Sequence, residues 1–594
     1  MKITNSEIAK ILYEIAGYLE MQNVAFKPRA YEKAAAAIEE LDNDVSEVYK
    51  EGGLKALEEI PGVGVSIAEK VEELIKTGRL KYYNELKKKT PVDLENLLRI
   101  EGLGPKSVKK LYKKLKIKTV EDLEKAAKTG KIGKLEGFGK KSEENILKGI
   151  KFIKTSGNRF ILGFVIPDLE KIVGRLKKLK EVERIDIVGS ARREKETIGD
   201  CDILVIAKNS RESSSAKATE DEIKISDFFV NMPEVVKVFA HGETKSAIRL
   251  KNGMDVDLRV VPRESYGAAL QYFTGSKDHN IAIREIAIKK GYKLNEYGLF
   301  RVIRDKRHET RIVGEDEKEI YEKLGMDWMP TEIRENQGEI ELAQEHKLPK
   351  LINYGDLKGD LQIQTNWTDG ANTIEEYAEE AIKMGLEYIL ITDHTKRLAM
   401  TGGLDEKKLL KQMSEIDKVN KRLTTNNKRL KILKGSEVDI LKDGTMDIAD
   451  EVLEKLDIVG GAIHSHFNLP RHEQTKRLIR AMENKNVDII FHPTGRIINR
   501  RPAYDIDIDE IIKTAKRTGT ILEIDAFPDR LDLKDNYIRK CVEAGVKLAI
   551  DSDAHAIAHM GYLEWGIAQA RRGWATREDI INAWSLDKML EMLK

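Results

Sequence analysis

Hydrophobic and polar positions along the chain change period twice. Up to about residue 155 apolar residues recur at helical spacing, as in MKITNSEIAKILYEIAGYLEM, which predicts amphipathic helices. In RIDIVGSARREKETIGDCDILVIA, residues 184–207, IDIV ends at Gly189-Ser190 and DCDILVIA follows Gly199. That alternation predicts two strands joined by a turn. Beyond residue 355 seven short apolar runs alternate with helical segments: GDLQIQ, YILITDH, RLKILKGSEVDI, LDIVGGAIH, VDIIFHP, TILEIDA and VKLAIDSDAH. Strands alternating with helices predict a parallel α/β arrangement, and polar residues gathered at the strands' C-terminal ends mark the working face of a barrel.

The helical part carries an internal repeat. EEIPGVGVSIAEKVEEL, LRIEGLGPKSVKKLYKK and GKLEGFGKKSEENILKG each place a glycine pair ahead of a helix: Gly62/Gly64, Gly102/Gly104 and Gly137/Gly139. Glycine permits the φ > 0 turn and leaves backbone N–H groups uncovered at the helix N-terminus, which suits a phosphate. Three copies predict helix-hairpin-helix modules that hold a DNA backbone without reading bases.

Charge sharpens this picture. The net charge of +2 hides an asymmetry. Residues 76–151 carry 22 Lys/Arg against 10 Asp/Glu, whereas residues 1–75 carry 8 against 15. A basic stretch of that size is the footprint of a nucleic-acid contact. With 594 residues, 41% apolar and 34% charged, the composition is that of a soluble multidomain protein. No window predicts a membrane span, and the N-terminus lacks a signal-peptide core. Cys201 and Cys541 are the only cysteines, which excludes a disulfide framework and a zinc ribbon and leads us to expect a cytoplasmic protein.

Between the helices and the barrel lies candidate phosphate chemistry. Gly189-Ser190 can present donors to a triphosphate and Arg193 adds a cation. Asp200 and Asp202 stand two apart on a predicted strand, so both project on one face. Two close carboxylates repel unless a cation lies between them, so a divalent-ion site is expected. A third acid should come from MDVDLRVVP, which offers Asp255 and Asp257.

GSARRE…GDCDILV, DVDLRVVP and YFTGSKDHNIAIREIAIKKGYKLNEYGLF closely resemble the family X DNA polymerases, and the resemblance spans residues 1–330. It implies template-directed gap filling with dNTPs on gapped or nicked duplex DNA, using two Mg2+ or Mn2+ ions on Asp200, Asp202 and Asp257. Gly189, Ser190, Arg193 and Gly199 would contact the triphosphate. Tyr272, Phe273, Gly275 and Asn280 would form the sugar and base pocket, and Arg284 would touch the template. Residues 1–83 resemble the family's small lyase-type domain, with Lys70 at the Schiff-base position and Lys27 and Tyr31 beside it. Glu58, Glu59 and the acidic surroundings predict a raised Lys70 pKa, which opposes lyase chemistry. A polar, Ser-rich insertion at 208–224 departs from the family pattern and reads as a flexible loop.

The barrel's ITDHT…GSEVDI…GGAIHSHF…FHPTGR…SDAHA resembles the PHP domain fused to such polymerases, typically a 3′–5′ exonuclease. Its implied metal ligands are Asp369, His394, Glu437, His464, His492, Asp553 and His555, holding Mn2+ or Zn2+. The family's opening H-x-H is here Gln362 and Gln364. An amide oxygen is a weaker ligand for these ions than imidazole, so fewer than three ions and a reduced exonuclease are expected. Two other readings stay open: a phosphoesterase or nuclease with the front half as a DNA clamp, and a polymerase with a purely structural PHP domain. The expected order is an N-terminal helical domain (1–83), a helix-hairpin-helix domain (84–151), a nucleotidyltransferase palm (152–263) and a nucleotide-selecting subdomain (264–330). A linker (331–354) and a (β/α)7 PHP barrel (355–594) follow, in a chain acting as a monomer and of mixed α+β and α/β class.

Overall fold

The computed structural model describes residues 3–593 apart from 4, 40, 42–43, 61, 99, 101–102, 157–158, 212–216, 303–308, 399–400 and 427. These residues form two compact units, one of 1–157 with 496–503 and the other of 158–495 with 504–594. Among them no helix is long and apolar enough to cross a membrane.

The first unit is helical, as its period predicts, from Asn5–Met21 through Val65–Thr77 and Pro105–Leu115 to Lys140–Ser156. The apolar stripes bury one continuous core that includes Leu12, Ile15, Val71, Leu74, Leu97, Val108, Leu111 and Ile146. The two helical domains expected on either side of residue 83 therefore share that core, and the Tyr18 hydroxyl donates across the expected boundary to the Val92 carbonyl at 3.1 Å.

The second unit opens with a five-stranded sheet: β1 (Val182–Val188), β2 (Asp200–Ala207), β3 (Val235–His241), β4 (Lys245–Leu250) and β5 (Asp255–Val260). Its spatial order is β1-β2-β5-β4-β3, and only β2 and β5 run parallel. Helices Leu162–Lys177 and Glu220–Val230 bury Leu169, Ile172 and Phe229 against it. The expected insertion at 208–224 is not all loop. Thr219 caps the helix that begins at Glu220, and Arg211 reaches Glu222 at 3.3 Å.

Helices Tyr266–Thr274 and Lys277–Lys289 follow, then an antiparallel sheet of β6 (Tyr292–Asn295), β7 (Gly298–Val302) and β8 (Glu309–Val313). The stretch expected as a linker, 331–354, is packed. Arg334 is 0% exposed and paired to Glu317 at 2.6 Å, while Ile333, Ile340, Leu351 and Ile352 are buried. Palm and barrel thus belong to one compact unit.

All seven predicted barrel runs are strands: β9 (Gly359–Ile363), β10 (Tyr388–Ile391), β11 (Lys431–Asp439), β12 (Ile458–Ala462), β13 (Ile489–Ile490), β14 (Ile521–Asp525) and β15 (Leu548–Asp551). They lie parallel in chain order. The seam between β9 and β15 is closed by a single bridge, Ile363 to Ala554, and by side chains. The N–H of Leu361 donates to Asp551 at 3.0 Å and that of Ser552 to Asp360 at 3.0 Å. Below them the Asn582 amide donates to the carbonyls of Gly359 (2.9 Å) and Ile550 (2.6 Å).

Candidate active sites

In the palm, the sequence GDCD places two carboxylates at the start of β2 while Cys201 between them is buried. The parallel register sets Asp200 beside Asp255 and Asp202 beside Asp257 on β5. Asp255 is claimed by Arg249, which donates to both its oxygens at 2.7 and 2.9 Å. Asp257 makes no ion pair among the described residues. Burial, then the charges of Asp200 and Asp257, push the Asp202 carboxyl up to about 6. The three acids stand on neighbouring strands, but unlike the barrel groups below they do not bring three ligand atoms within 4.8 Å of one another.

Gly189 opens the short helix Gly189–Arg192 at φ 73°, and a Cβ there would stand 3.3 Å from an Asp202 oxygen. Glycine thus lets the turn, with Ser190 in it, approach the acids, and Gly199 directly precedes Asp200. Arg193 donates to the Thr274 carbonyl and, at 3.1 Å, to Glu335. Arg193, Tyr272, Phe273, Gly275, Asn280 and Arg284, together with Lys277, line one cleft of about 280 Å³. The predicted nucleotide and template residues of the second helical pair therefore share a wall with Arg193. Sequence reasoning missed Lys277, Arg259, whose guanidinium lies 4.4 Å from the Phe273 ring centre, and Gln271, which donates to Asn280 at 2.7 Å.

Next to Arg193, Glu194 is pushed up to about 8 by burial and by Glu332, against Arg572. Between its ordinary 4.5 and that value the unfolded chain loses a proton that the folded chain keeps, so stability falls as pH rises through this window. Glu194→Gln should therefore raise Tm more at pH 8 than at pH 5, relative to wild type. Thermal melts across that range check it, and an equal shift at both ends contradicts it.

In the helical unit, Gly62 and Gly137 adopt φ 80° and 81°. Gly64 and Gly104 are the N-caps of Val65–Thr77 and Pro105–Leu115, neither with a side-chain cap, and Gly139 precedes Lys140–Ser156. A Cβ at Gly64, Gly104 or Gly139 meets nothing within 4 Å, so these turns present bare backbone. Gly102 lies outside the described residues.

The expectation for Lys70 is reversed. Its pKa is lowered, first by burial and also by Lys27, against Glu69 and Glu73; Glu58 and Glu59 are not among the causes. Lys70 donates to the Ser66 carbonyl (2.7 Å) and hydroxyl (2.9 Å) and sits 5.2 Å from the centre of the Tyr82 ring. Tyr31 is buried, its phenol pushed up to about 12.

At the barrel's C-terminal face the strand ends bring the predicted ligands together. Asp369, His394 and His555 offer ligand atoms within 4.8 Å of one another, as do His394, Glu437 and His464. Glu437 is the hub. His464 Nε2 and His492 Nε2 each stand 2.9 Å from its Oε1, and His394 Nδ1 stands 3.3 Å from Oε2. Burial would raise this carboxyl, but the facing histidines hold it well below the usual range. Burial likewise opposes the charged form of His464, yet Glu437 and Asp439 win and raise it to about 9. The buried Nδ1 of His492 has no hydrogen-bond partner. Mixed imidazole and carboxylate donors at this spacing fit a divalent ion in either group; His394 is common to both, and a neutral imidazole has one lone pair to give, to one ion at a time.

The seventh predicted ligand, Asp553, faces two ways, its Oδ1 standing 3.9 Å from His555 Nδ1 and its Oδ2 turned to Arg530. The Arg530 guanidinium lies 3.4 Å from both Asp553 and Asp525. Gln364 donates to Glu437 at 2.7 Å, and both amide atoms of the fully buried Gln362 lack a partner. In the barrel, no third group of three such residues brings its ligand atoms within 4.8 Å of one another among the described residues. Sequence reasoning also missed Asp439, which faces His464 Nδ1 at 3.1 Å. The alternation in Glu437-Val438-Asp439 puts both acids on one strand face and could have revealed it.

A parallel-paired aspartate site beside a glycine turn, followed by a seven-stranded barrel with clustered histidines, defines a nucleotidyltransferase joined to a metal-dependent phosphoesterase-type barrel. Sequence comparisons agree: residues 3–80 match the helix-hairpin-helix domain, 94–151 the SAM-like helix-hairpin-helix tandem, 269–335 the DNA polymerase beta thumb and 360–527 the PHP domain. The chain is 38% identical over 596 residues to the DNA polymerase/3′-5′ exonuclease PolX of Bacillus subtilis, covering 99% of each. Over 233 residues, 38% of this chain, it is 33% identical to a "probable phosphatase" of Thermoanaerobacter sp. (strain X514), covering 88% of that protein. The chain belongs to the PolX family, the family X DNA polymerases that carry a PHP domain.

Proposed function

We propose that this polymerase fills short gaps in duplex DNA by template-directed addition of dNTPs, and that its PHP domain retains a reduced 3′–5′ exonuclease. The register that sets Asp202 beside Asp257, next to the cleft of Arg193 and Asn280, carries the first part. When bound on Asp200, Asp202 and Asp257, two Mg2+ or Mn2+ ions would supply activation of the primer 3′-OH and charge stabilisation at the leaving pyrophosphate. The protein's own groups position the reactants. The backbone donors of the Gly189 turn, with Ser190 and Arg193, hold the triphosphate, and Tyr272 and Phe273 flank the sugar. Asn280 addresses the base, Arg284 the template, and the hairpin glycines the DNA backbone.

In the barrel, Mn2+ or Zn2+ on the two clusters would supply a nucleophilic water for phosphodiester cleavage. Asp439, at Nδ1, fixes the tilt of His464 and leaves Nε2 turned to Glu437, while His492 braces Glu437. Gln362 and the Asp553–Arg530 pair support a count of two ions rather than three. The same observations favour the rival reading of a structural barrel, so one experiment must separate them.

A labelled primer, matched or mismatched at its 3′ end on gapped duplex, is incubated with the protein in Mg2+ or Mn2+, with and without dNTPs. Lengthening with dNTPs and shortening without them are both expected. Lengthening with no shortening in either metal would leave the barrel as scaffold, and no lengthening would overturn the polymerase reading. The protein acts as a monomer in this scheme, and sizing on DNA checks that.

A further inference from the structure

Helix Leu563–Arg572, a barrel element, ends in two arginines with different reach. Arg571 donates to Glu332 and to the Ile352 carbonyl, both at 2.6 Å. Arg572 goes further. Its side chain is 3% exposed, and its Nη2 and Nε donate to Asp535 at 2.7 and 3.1 Å. Asp535 begins barrel helix Asp535–Ala544. The remaining guanidinium nitrogen, Nη1, donates to the backbone carbonyl of Arg193 at 2.8 Å and of Glu332 at 3.1 Å, and stands 3.3 Å from Glu335. A barrel side chain thus holds the palm residue that carries the cation of the nucleotide cleft.

The charges around this contact matter as much as the hydrogen bonds. Glu335 is shared by Arg193 Nε at 3.1 Å, Lys195 Nζ at 3.4 Å and Arg572 Nη1 at 3.3 Å. Three cations therefore face two carboxylates, Glu335 and Asp535, and one positive charge is left over. Removing Arg572 would leave Glu335 to Arg193 and Lys195, tying Arg193 more tightly to a protein carboxylate. It would also free the Arg193 carbonyl and the backbone around it. Both changes reduce what Arg193 can offer a triphosphate.

We propose that Arg572 is a positioning residue for nucleotide binding: anchored on Asp535, it fixes the Arg193 backbone and draws charge from Glu335. This inference rests on the polymerase reading above. A plain structural staple between palm and barrel would also explain the contacts, but it would affect stability rather than the affinity for one substrate. Arg571 is the internal comparison, since it ties the same helix to the connecting segment without touching the Arg193 turn.

The test is steady-state single-nucleotide addition on gapped duplex by the full chain and by Arg572→Gln, Asp535→Asn and Arg571→Gln. A buried, charge-assisted contact of this kind predicts about a tenfold rise in KM for dNTP in Arg572→Gln. kcat should stay within about threefold, with DNA affinity unchanged. Asp535→Asn should move KM in the same direction by less, and Arg571→Gln should leave KM unchanged even where its Tm falls. Unchanged KM in Arg572→Gln, or an equal rise in Arg571→Gln, overturns the proposal. If Arg572→Gln does not fold, Asp535→Asn decides, because that carboxylate is partly exposed and its amide replacement is mild; unchanged KM there overturns it too. A wild type that adds no nucleotide overturns the polymerase reading and this inference with it, which separates the two failures.

Discussion

Asp257→Ala is expected to lower nucleotide addition by about a thousandfold or more while leaving affinity for gapped DNA intact. The carboxylate sits in register with Asp202 on the neighbouring parallel strand, so its loss removes a wall of the ion site and leaves the hairpin glycines untouched. Asp255→Ala is the matching control. That side chain is bound to Arg249 on both oxygens, and losing an exposed ion pair costs little stability. Single-turnover addition of one labelled nucleotide reads both variants. Substantial synthesis by Asp257→Ala, or a collapse in Asp255→Ala, would reverse the assignment of the third acid.

The second large effect belongs to the barrel. Glu437→Gln is expected to strip bound Mn2+ or Zn2+ and to lower 3′-end shortening by at least about a hundredfold, with primer extension unchanged. Glu437 faces His394, His464 and His492 at 3.3, 2.9 and 2.9 Å. An amide there keeps the shape and loses the charge that both clusters share. Elemental analysis of the purified protein should find about two barrel ions in wild type and fewer in the variant, after discounting any held by the palm. Undiminished metal content would show that the ions, if present, sit elsewhere.

How much of this could be read from the chain follows the range of each interaction. The barrel strands were legible because each is a short apolar run, and five of the seven carry a predicted ligand at or just beyond their ends, so strand and candidate ligand are adjacent in sequence. The hairpin glycines were legible for the same reason. The choice of Asp257 over Asp255 rests on resemblance, and no local pattern shows that Arg249 lies opposite Asp255, where only the pairing of β4 with β5 can put it. The Lys70 expectation failed because sequence proximity of Glu58 and Glu59 says nothing of distance, whereas burial and Lys27 act directly. Arg530, in a loop with no period, reaches Asp553 at the end of the neighbouring strand. Arg572 is 379 residues from the carbonyl it holds. No local pattern encodes contacts of that kind, and 331–354 looked like a linker because its charged residues pair outside the segment, Arg334 with Glu317 and Glu332 and Glu335 with Arg571 and Arg572.

Such distances also fix an order of events during synthesis. The palm leaves the ribosome well before the barrel, and at about 5–20 residues per second the Arg193 turn waits roughly 20–75 s for Arg572. The first barrel strand waits as well, since Asn582, which fastens its Gly359 end, follows 223 residues later. A nascent or truncated chain that stops inside the barrel therefore has its aspartates and its sheet but a nucleotide turn without an anchor. The phosphoesterase half, whatever its own chemistry, acts as the late-arriving clasp of the polymerase half, and losing it by truncation differs from losing its metal ligands.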